Sequence, residues 1–152
     1  SMNIHPSYLP FSKGRDPYVW SIYNEFSLGF TFHEISEQID EGKVFLKRKI
    51  KFKRPLKGFE LYVYLCKEIE KEFKKSFSKI LANKIKPKKN KKSFLKTNKR
   101  SDFIKFSKLN LDNKKFNRER RFFLRIMALD FPKRKLKIQY NKKNYLITLN
   151  LI

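Results

Sequence analysis

The chain has 152 residues, 40% hydrophobic and 16% aromatic, enough apolar material for the core of one domain and too much for a disordered chain. No run of 18 apolar residues occurs, and no basic stretch followed by an apolar one opens the sequence, so neither a membrane span nor a signal peptide is expected. The net charge of +24, from 38 Lys and Arg against 14 Asp and Glu, would draw in polyanions, but Lys far outnumbers Arg and no recognisable nucleic-acid-reading module is visible. A solvated basic surface that steers an anionic nucleotide is therefore expected, rather than nucleic acid as the main partner. The single Cys66 cannot form an internal disulfide, which agrees with a reducing, cytoplasmic setting.

In chain order, residues 2–5 read as a strand on which Asn3 and His5, two apart, project to the same side. Pro6 and Pro10 stop that strand and stiffen the loop running to Gly14. Asp16-Pro17 is a helix start, with Asp positioned to cap free amides and Pro suited to the first helical position, so a short helix follows over about 17–24. Residues 28–35 alternate Phe30 and Phe32 with Thr31 and His33, which predicts a strand, with His33 cast as a structural hydrogen-bonding residue. A loop over 36–42 carries Asp40, with Gly42 permitting a tight bend, and a second strand with one wet face spans 44–52.

From 58 to 85, apolar residues recur every three or four positions (Phe59, Tyr62, Leu65, Cys66, Ile69, Phe73, Phe77), predicting a long helix whose stripe, Cys66 included, is core. Residues 86–101 read as a basic linker. A short helix over 102–109 is expected next. Another, capped by Asp112, runs over 114–129 and stops at Phe131-Pro132. A hairpin of 136–139 with 145–151 completes the reading. The expected division is thus 2–85, 86–101 and 102–152, and no metal site is expected.

The run Asn3-Ile4-His5-Pro6-Ser7-Tyr8-Leu9-Pro10 with Gly14, then Thr31 and His33, then Ile39, Asp40 and Gly42, resembles the signature of the folate-dependent formyltransferases. That family includes the glycinamide ribonucleotide, methionyl-tRNA and sugar-nucleotide enzymes. Tyr8 and Lys47 depart from it, standing where the family usually has Leu and Gln. Arg125 and Ala128 on a helix that runs into Phe131-Pro132, followed by a hairpin with Tyr145, are similar to the C-terminal part of the sugar-nucleotide N-formyltransferases.

The resemblance implies an α/β fold, the C-terminal half of a Rossmann-like domain followed by helices and a terminal β-hairpin. It implies Asn3, His5 and Asp40 as catalytic groups, Ser36, Glu37 and Ile39 at the donor 10-formyltetrahydrofolate, and Tyr8, Arg125 and Phe131 at an amino-sugar nucleotide. In such a reaction an amide donor steadies the oxygen that gains charge, a group titrating near neutrality manages the amine proton, and a carboxylate orients that group. The family's first strands and part of its folate pocket precede the Asn-x-His strand. A homodimer, or association with a missing N-terminal half, is therefore expected, with weak activity; the alternative is an inactive fragment or a basic nucleic-acid-binding protein.

Overall fold

In the computed structural model of the chain, which describes residues 1–52, 56–92, 94–110, 119–132, 135–140 and 142–147, the first sheet has three antiparallel strands. These are β1 (Met2–His5), β2 (Gly29–Glu34) and β3 (Val44–Lys49), with β2 in the middle. The alternation in β2 does what the sequence implies: Phe30 and Phe32 enter the core, while Thr31 and His33 occupy the opposite face, where they are equally sealed. Asn3 lies opposite His33 and His5 opposite Thr31, so the polar residues of both strands gather on one face.

Helix α1 (Pro17–Tyr23) has Pro at its first position, as expected. Its start differs in one respect. Asp16 adopts a left-handed conformation (φ 51°) and makes no side-chain capping bond, because its carboxylate turns to accept from the Tyr18 hydroxyl at 3.1 Å.

Helix α2 (Gly58–Leu81) lays Leu61 and Leu65 fully into the core, with Ile69, Phe73 and Ile80 packed alongside. Cys66 does not share that face; it is exposed, since one residue beyond Leu65 is a rotation of about 100° around the helix. Phe59 and Tyr62 are also about 40% exposed and instead meet Phe131 at ring separations of 5.8 and 6.4 Å. Gly58 is needed for packing: a Cβ there would lie 2.2 Å from the Ala128 carbonyl oxygen.

The remaining elements are α3 (Arg100–Phe106), β4 (Lys108–Asn110), α4 (Glu119–Leu129), β5 (Leu136–Tyr140) and β6 (Lys143–Ile147). The terminal hairpin is present as β5–β6, and β4 adds a parallel third strand. At three residues, β4 is too short to show alternation in the sequence. The expected Asp112 cap lies outside the described residues. One core runs through Trp20, Phe32, Leu61, Leu65, Ile126, Leu129 and Ile138, tying α1, β2, α2, α4 and β5 together. Among the described residues no helix is long and apolar enough to cross a membrane.

The basic stretch 86–101 is fastened at two points. Lys88 exchanges two backbone hydrogen bonds with Val44, at 2.7 and 2.8 Å, and Asn98 forms a bridge to Gly14. Its charges nevertheless point to solvent: Lys89, Lys91 and Lys92 are exposed. Replacing these three with Ala should leave the thermal unfolding transition within about 0.5 kcal/mol of the unmodified chain, since solvated charges away from packed features contribute little. Loss of a cooperative transition would show that the lysines are structural.

Candidate active site

Three stretches converge on Asp40. The strand β1 supplies Asn3 and His5, the loop after it supplies the Gly14 amide, and the loop between β2 and β3 supplies Asp40 itself. Asp40 sits at φ 58°, a conformation that Asp tolerates better than most residues. Its Oδ2 accepts from the Gly14 N–H at 2.7 Å and faces His5 Nδ1 at 3.4 Å. Its Oδ1 faces the Asn3 amide nitrogen and His33 Nε2, each at 3.5 Å. Burial would raise the Asp40 carboxyl, but the two histidines and the Gly14 N–H outweigh it and hold it below its ordinary 3.8. Gly42 lies at a bend, as expected, and also permits a close approach: a Cβ there would lie 1.8 Å from the Glu34 carbonyl oxygen.

His5 is 5% exposed. Its Nε2 lies 3.0 Å from the Ser12 carbonyl oxygen and its Nδ1 3.4 Å from the Asp40 carboxylate, both of them acceptors; the shorter contact places the proton of the neutral ring on Nε2 and leaves Nδ1, beside Asp40, as the nitrogen that gains one. Ser12 thus shares with Asp40 the orienting of this ring. Burial pushes the His5 pKa below 6.5; Asp40 and the Ser12 carbonyl oppose that, and His33 adds to it. His33 is 2% exposed and donates through Nδ1 to the Glu34 carbonyl at 2.8 Å, leaving Nε2 to accept from the Asn3 amide at 3.3 Å. It stands behind the other three residues and orients Asn3.

The loop between His5 and α1 is pinned from β2. Thr31 Oγ1 donates to the Ser7 carbonyl at 2.8 Å and accepts from the Leu9 N–H at 3.1 Å. The two positions that depart from the formyltransferase pattern touch each other: the Lys47 ammonium lies over the Tyr8 ring, 4.6 Å from its centroid. Lys47 also donates to the Leu9 carbonyl at 2.8 Å and to Asn90 Oδ1 at 3.2 Å, so it joins the loop to the basic stretch. Lys13, 5% exposed, pairs with Glu41 at 2.5 Å.

An open cavity of about 590 Å³ lies beside Asn3, His5 and Asp40, lined also by Arg15, Gln38, Ile39 and Asn98. Of the residues assigned from sequence to the donor, Ile39 reaches this cavity and Ser36 and Glu37 do not; the Ser36 hydroxyl donates to the Gln38 carbonyl. Of those assigned to the acceptor, none lines it. Tyr8 lies under Lys47, and Phe131 packs among Tyr18, Phe59 and Tyr62. The Arg125 guanidinium donates to the backbone carbonyls of Phe106 and Lys108. The residues that sequence reasoning missed are Ser12, Lys13, Gly14 as an amide donor, Gln38 and Asn98. Only Gly14 had a signal, in its fixed distance from the Asn-x-His run.

A buried histidine and a carboxylate thus stand beside an Asn on the lip of an open cavity. No family model matches the chain. GDP-perosamine N-formyltransferase of Brucella melitensis is 35% identical over 63 residues, covering 41% of this chain and 24% of that protein. The 4-N formyltransferase of Francisella tularensis superposes with a TM-score of 0.87 at 26% identity, over 99% of this chain and 62% of that one. A formyltransferase from Anoxybacillus kamchatkensis, solved with UDP-4,6-dideoxy-4-formamido-L-AltNAc and tetrahydrofolate, matches with a TM-score of 0.64 at 31% identity, over 68% of this chain and 55% of that one.

The chain thus has the Rossmann-like fold of the folate-dependent formyltransferases over the part that it spans, and is similar to them in sequence there. Among them it is similar to the sugar-nucleotide N-formyltransferases, of which it spans less than two thirds of the length. The reading as a basic nucleic-acid-binding protein is not favoured by these similarities.

Proposed function

We propose that the protein transfers a formyl group from 10-formyltetrahydrofolate to the amino group of an amino-sugar nucleotide, with Asn3, His5 and Asp40 as the reacting groups. The observation that carries this reading is the gathering of Asn3, His5 and the Gly14 amide around Asp40, at the edge of a cavity roomy enough for a cofactor headgroup. The ligands named for the Anoxybacillus enzyme support the choice of donor and acceptor class. Ile39 and Gln38 would hold the folate, Ile39 offering an apolar surface that is 62% exposed. When bound, the folate supplies a formyl carbon open to attack by an amine.

The chain's own groups then divide the work. His5 is neutral above its lowered pKa and presents Nδ1 as the base that takes the amine proton and would return it to the donor nitrogen, which leaves as tetrahydrofolate when its bond to the formyl carbon breaks. Asp40, a carboxylate throughout the neutral range, stabilises the resulting imidazolium. The Asn3 amide keeps one N–H on His33, which fixes its direction, and turns the other from its long 3.5 Å contact with Asp40 to the oxygen that gains charge. A cytoplasmic setting agrees with the single free Cys66.

The edge of β1 away from β2 has no paired strand among the described residues, and an open strand edge invites pairing. The hairpin exposes Leu146 by 65% and Tyr145 by 46%. Self-association through β1 or the hairpin is therefore expected, as a homodimer. Transfer should be slow, because a donor loosely held in so open a cavity loses the benefit of proximity. Light scattering and a formyl-transfer assay with an amino-sugar nucleotide check both: a strict monomer would refute the association, and efficient saturable turnover would refute the loosely held donor. No transfer at all in a single-turnover assay at high donor concentration would sink the formyltransferase reading.

A further inference from the structure

The stretch 86–101 has the composition of a linker, yet its far end lies across the loop that carries Gly14. Asn98 makes three bonds there. Its backbone N–H and its side-chain Nδ2 both donate to the Lys13 carbonyl, at 2.9 and 3.0 Å, and its own carbonyl accepts from the Arg15 N–H at 2.9 Å. These bonds bracket Gly14 on both sides. Gly14 is held at φ 85°, and its backbone passes so close to Asn98 that a Cβ would lie 2.3 Å from the Asn98 carbonyl oxygen. The N–H of this clamped Gly14 makes the shortest bond that Asp40 accepts, at 2.7 Å to Oδ2, the same oxygen that faces His5.

We propose that Asn98 is a positioning residue of this site: by fixing residues 13–15 it aims the Gly14 N–H, which holds the Asp40 carboxylate against His5. The inference rests on the formyl-transfer reading for its purpose, though not for its geometry. Asn3, His5 and His33 meet the Asp40 carboxylate only at 3.4–3.5 Å, so the 2.7 Å bond from Gly14 is the tightest hold on it. Without the clamp, residues 13–15 keep Lys13–Glu41 and the Trp20 Nε1 bond to the Arg15 carbonyl, neither of which directs the Gly14 amide. Asn98 also lines the cavity together with Thr97 and Lys99, so the basic stretch closes one wall of the site.

The test reads His5 rather than turnover. The groups facing its ring are Asp40, His33 and the Ser12 carbonyl, and of these only Asp40 hangs on Gly14. In the unmodified chain, in Asn98→Ala, which removes only the Nδ2 bond to the Lys13 carbonyl, and in Asn98→Pro, which removes the backbone N–H bond as well, the His5 imidazole resonances are followed by NMR against pH, with Asp40→Asn as the reference for full loss of the carboxylate. The His5 midpoint should fall in both Asn98 variants, in the same direction as in Asp40→Asn and by less, and single-turnover formyl transfer should slow by about 10-fold or more. Asn98→Ser, a smaller disturbance of a half-buried position, gives the same reading if the Ala variant does not fold. An unchanged midpoint in a folded variant would overturn the proposal and leave the formyltransferase reading standing. A shifted midpoint in a chain without transfer activity would leave Asn98 in its role and remove the reaction.

Discussion

Exchanging His5 for Gln should slow formyl transfer by about 10²–10⁴-fold, the usual worth of a well-placed proton-transfer group. Gln can still donate to the Ser12 carbonyl that now binds Nε2, so the loop keeps its contact while the titrating atom beside Asp40 is lost. Single-turnover measurement with excess protein keeps the comparison readable where turnover is slow, and a loss below about 10-fold would remove His5 from the chemistry. The pH dependence follows from the same burial. Because the His5 pKa lies below 6.5 in the fold, the base form should persist through neutrality, and the rate should drop only as pH falls through that lowered midpoint. Stability carries the same sign. Between the lowered folded pKa and the ordinary unfolded one, the unfolded chain binds more protons, so acidification through that interval destabilises the fold. Asp40, also lowered, adds its own loss at more acid pH.

What the sequence disclosed depended on range. Asn3 and His5 were legible because period-two geometry is local, and Phe30 and Phe32 because the same alternation marks a core face. Asp40 was legible through its pattern alone; an Asp two residues before a Gly is otherwise a turn residue. What stayed hidden depends on contacts between segments far apart in the chain. The Ser12 carbonyl shares in orienting the His5 ring, and no side-chain identity announces a backbone acceptor. Asn98 reaches Lys13 across 85 positions, and its neighbours are Lys-rich residues whose composition points to solvent. Cys66 was misplaced because an aromatic flank on α2 widened the apolar stripe beyond the line through Leu61 and Leu65 that is fully buried. That flank faces Phe131, a residue from the other end of the chain. Arg125 was assigned to the acceptor by resemblance; here its guanidinium is taken up by the carbonyls at the end of α3 and by the Phe106 ring at 4.5 Å.

The largest loss of stability is expected from Phe32→Ala. Phe32 is 0% exposed, sits at the middle of the central strand, and meets the rings of Phe30 at 5.8 Å and Phe73 of α2 at 6.4 Å. Removing a buried aromatic ring forfeits its transfer free energy and leaves a cavity that β2, held on both sides by β1 and β3, cannot collapse to fill. The cost should be about 3–5 kcal/mol, a large share of the roughly 5–15 kcal/mol that stabilises an ordinary domain. The site should fail with the core, because Thr31 and His33 flank Phe32 on the opposite face of the same strand. Thr31 pins the Ser7–Leu9 loop and His33 orients Asn3. Phe94, fully exposed, gives the matching control: its replacement by Ala should change stability by no more than about 0.5 kcal/mol. Urea unfolding midpoints at equal slope separate the two variants. Similar midpoints for Phe32→Ala and Phe94→Ala would mean that β2 is not the strand on which core and site both depend.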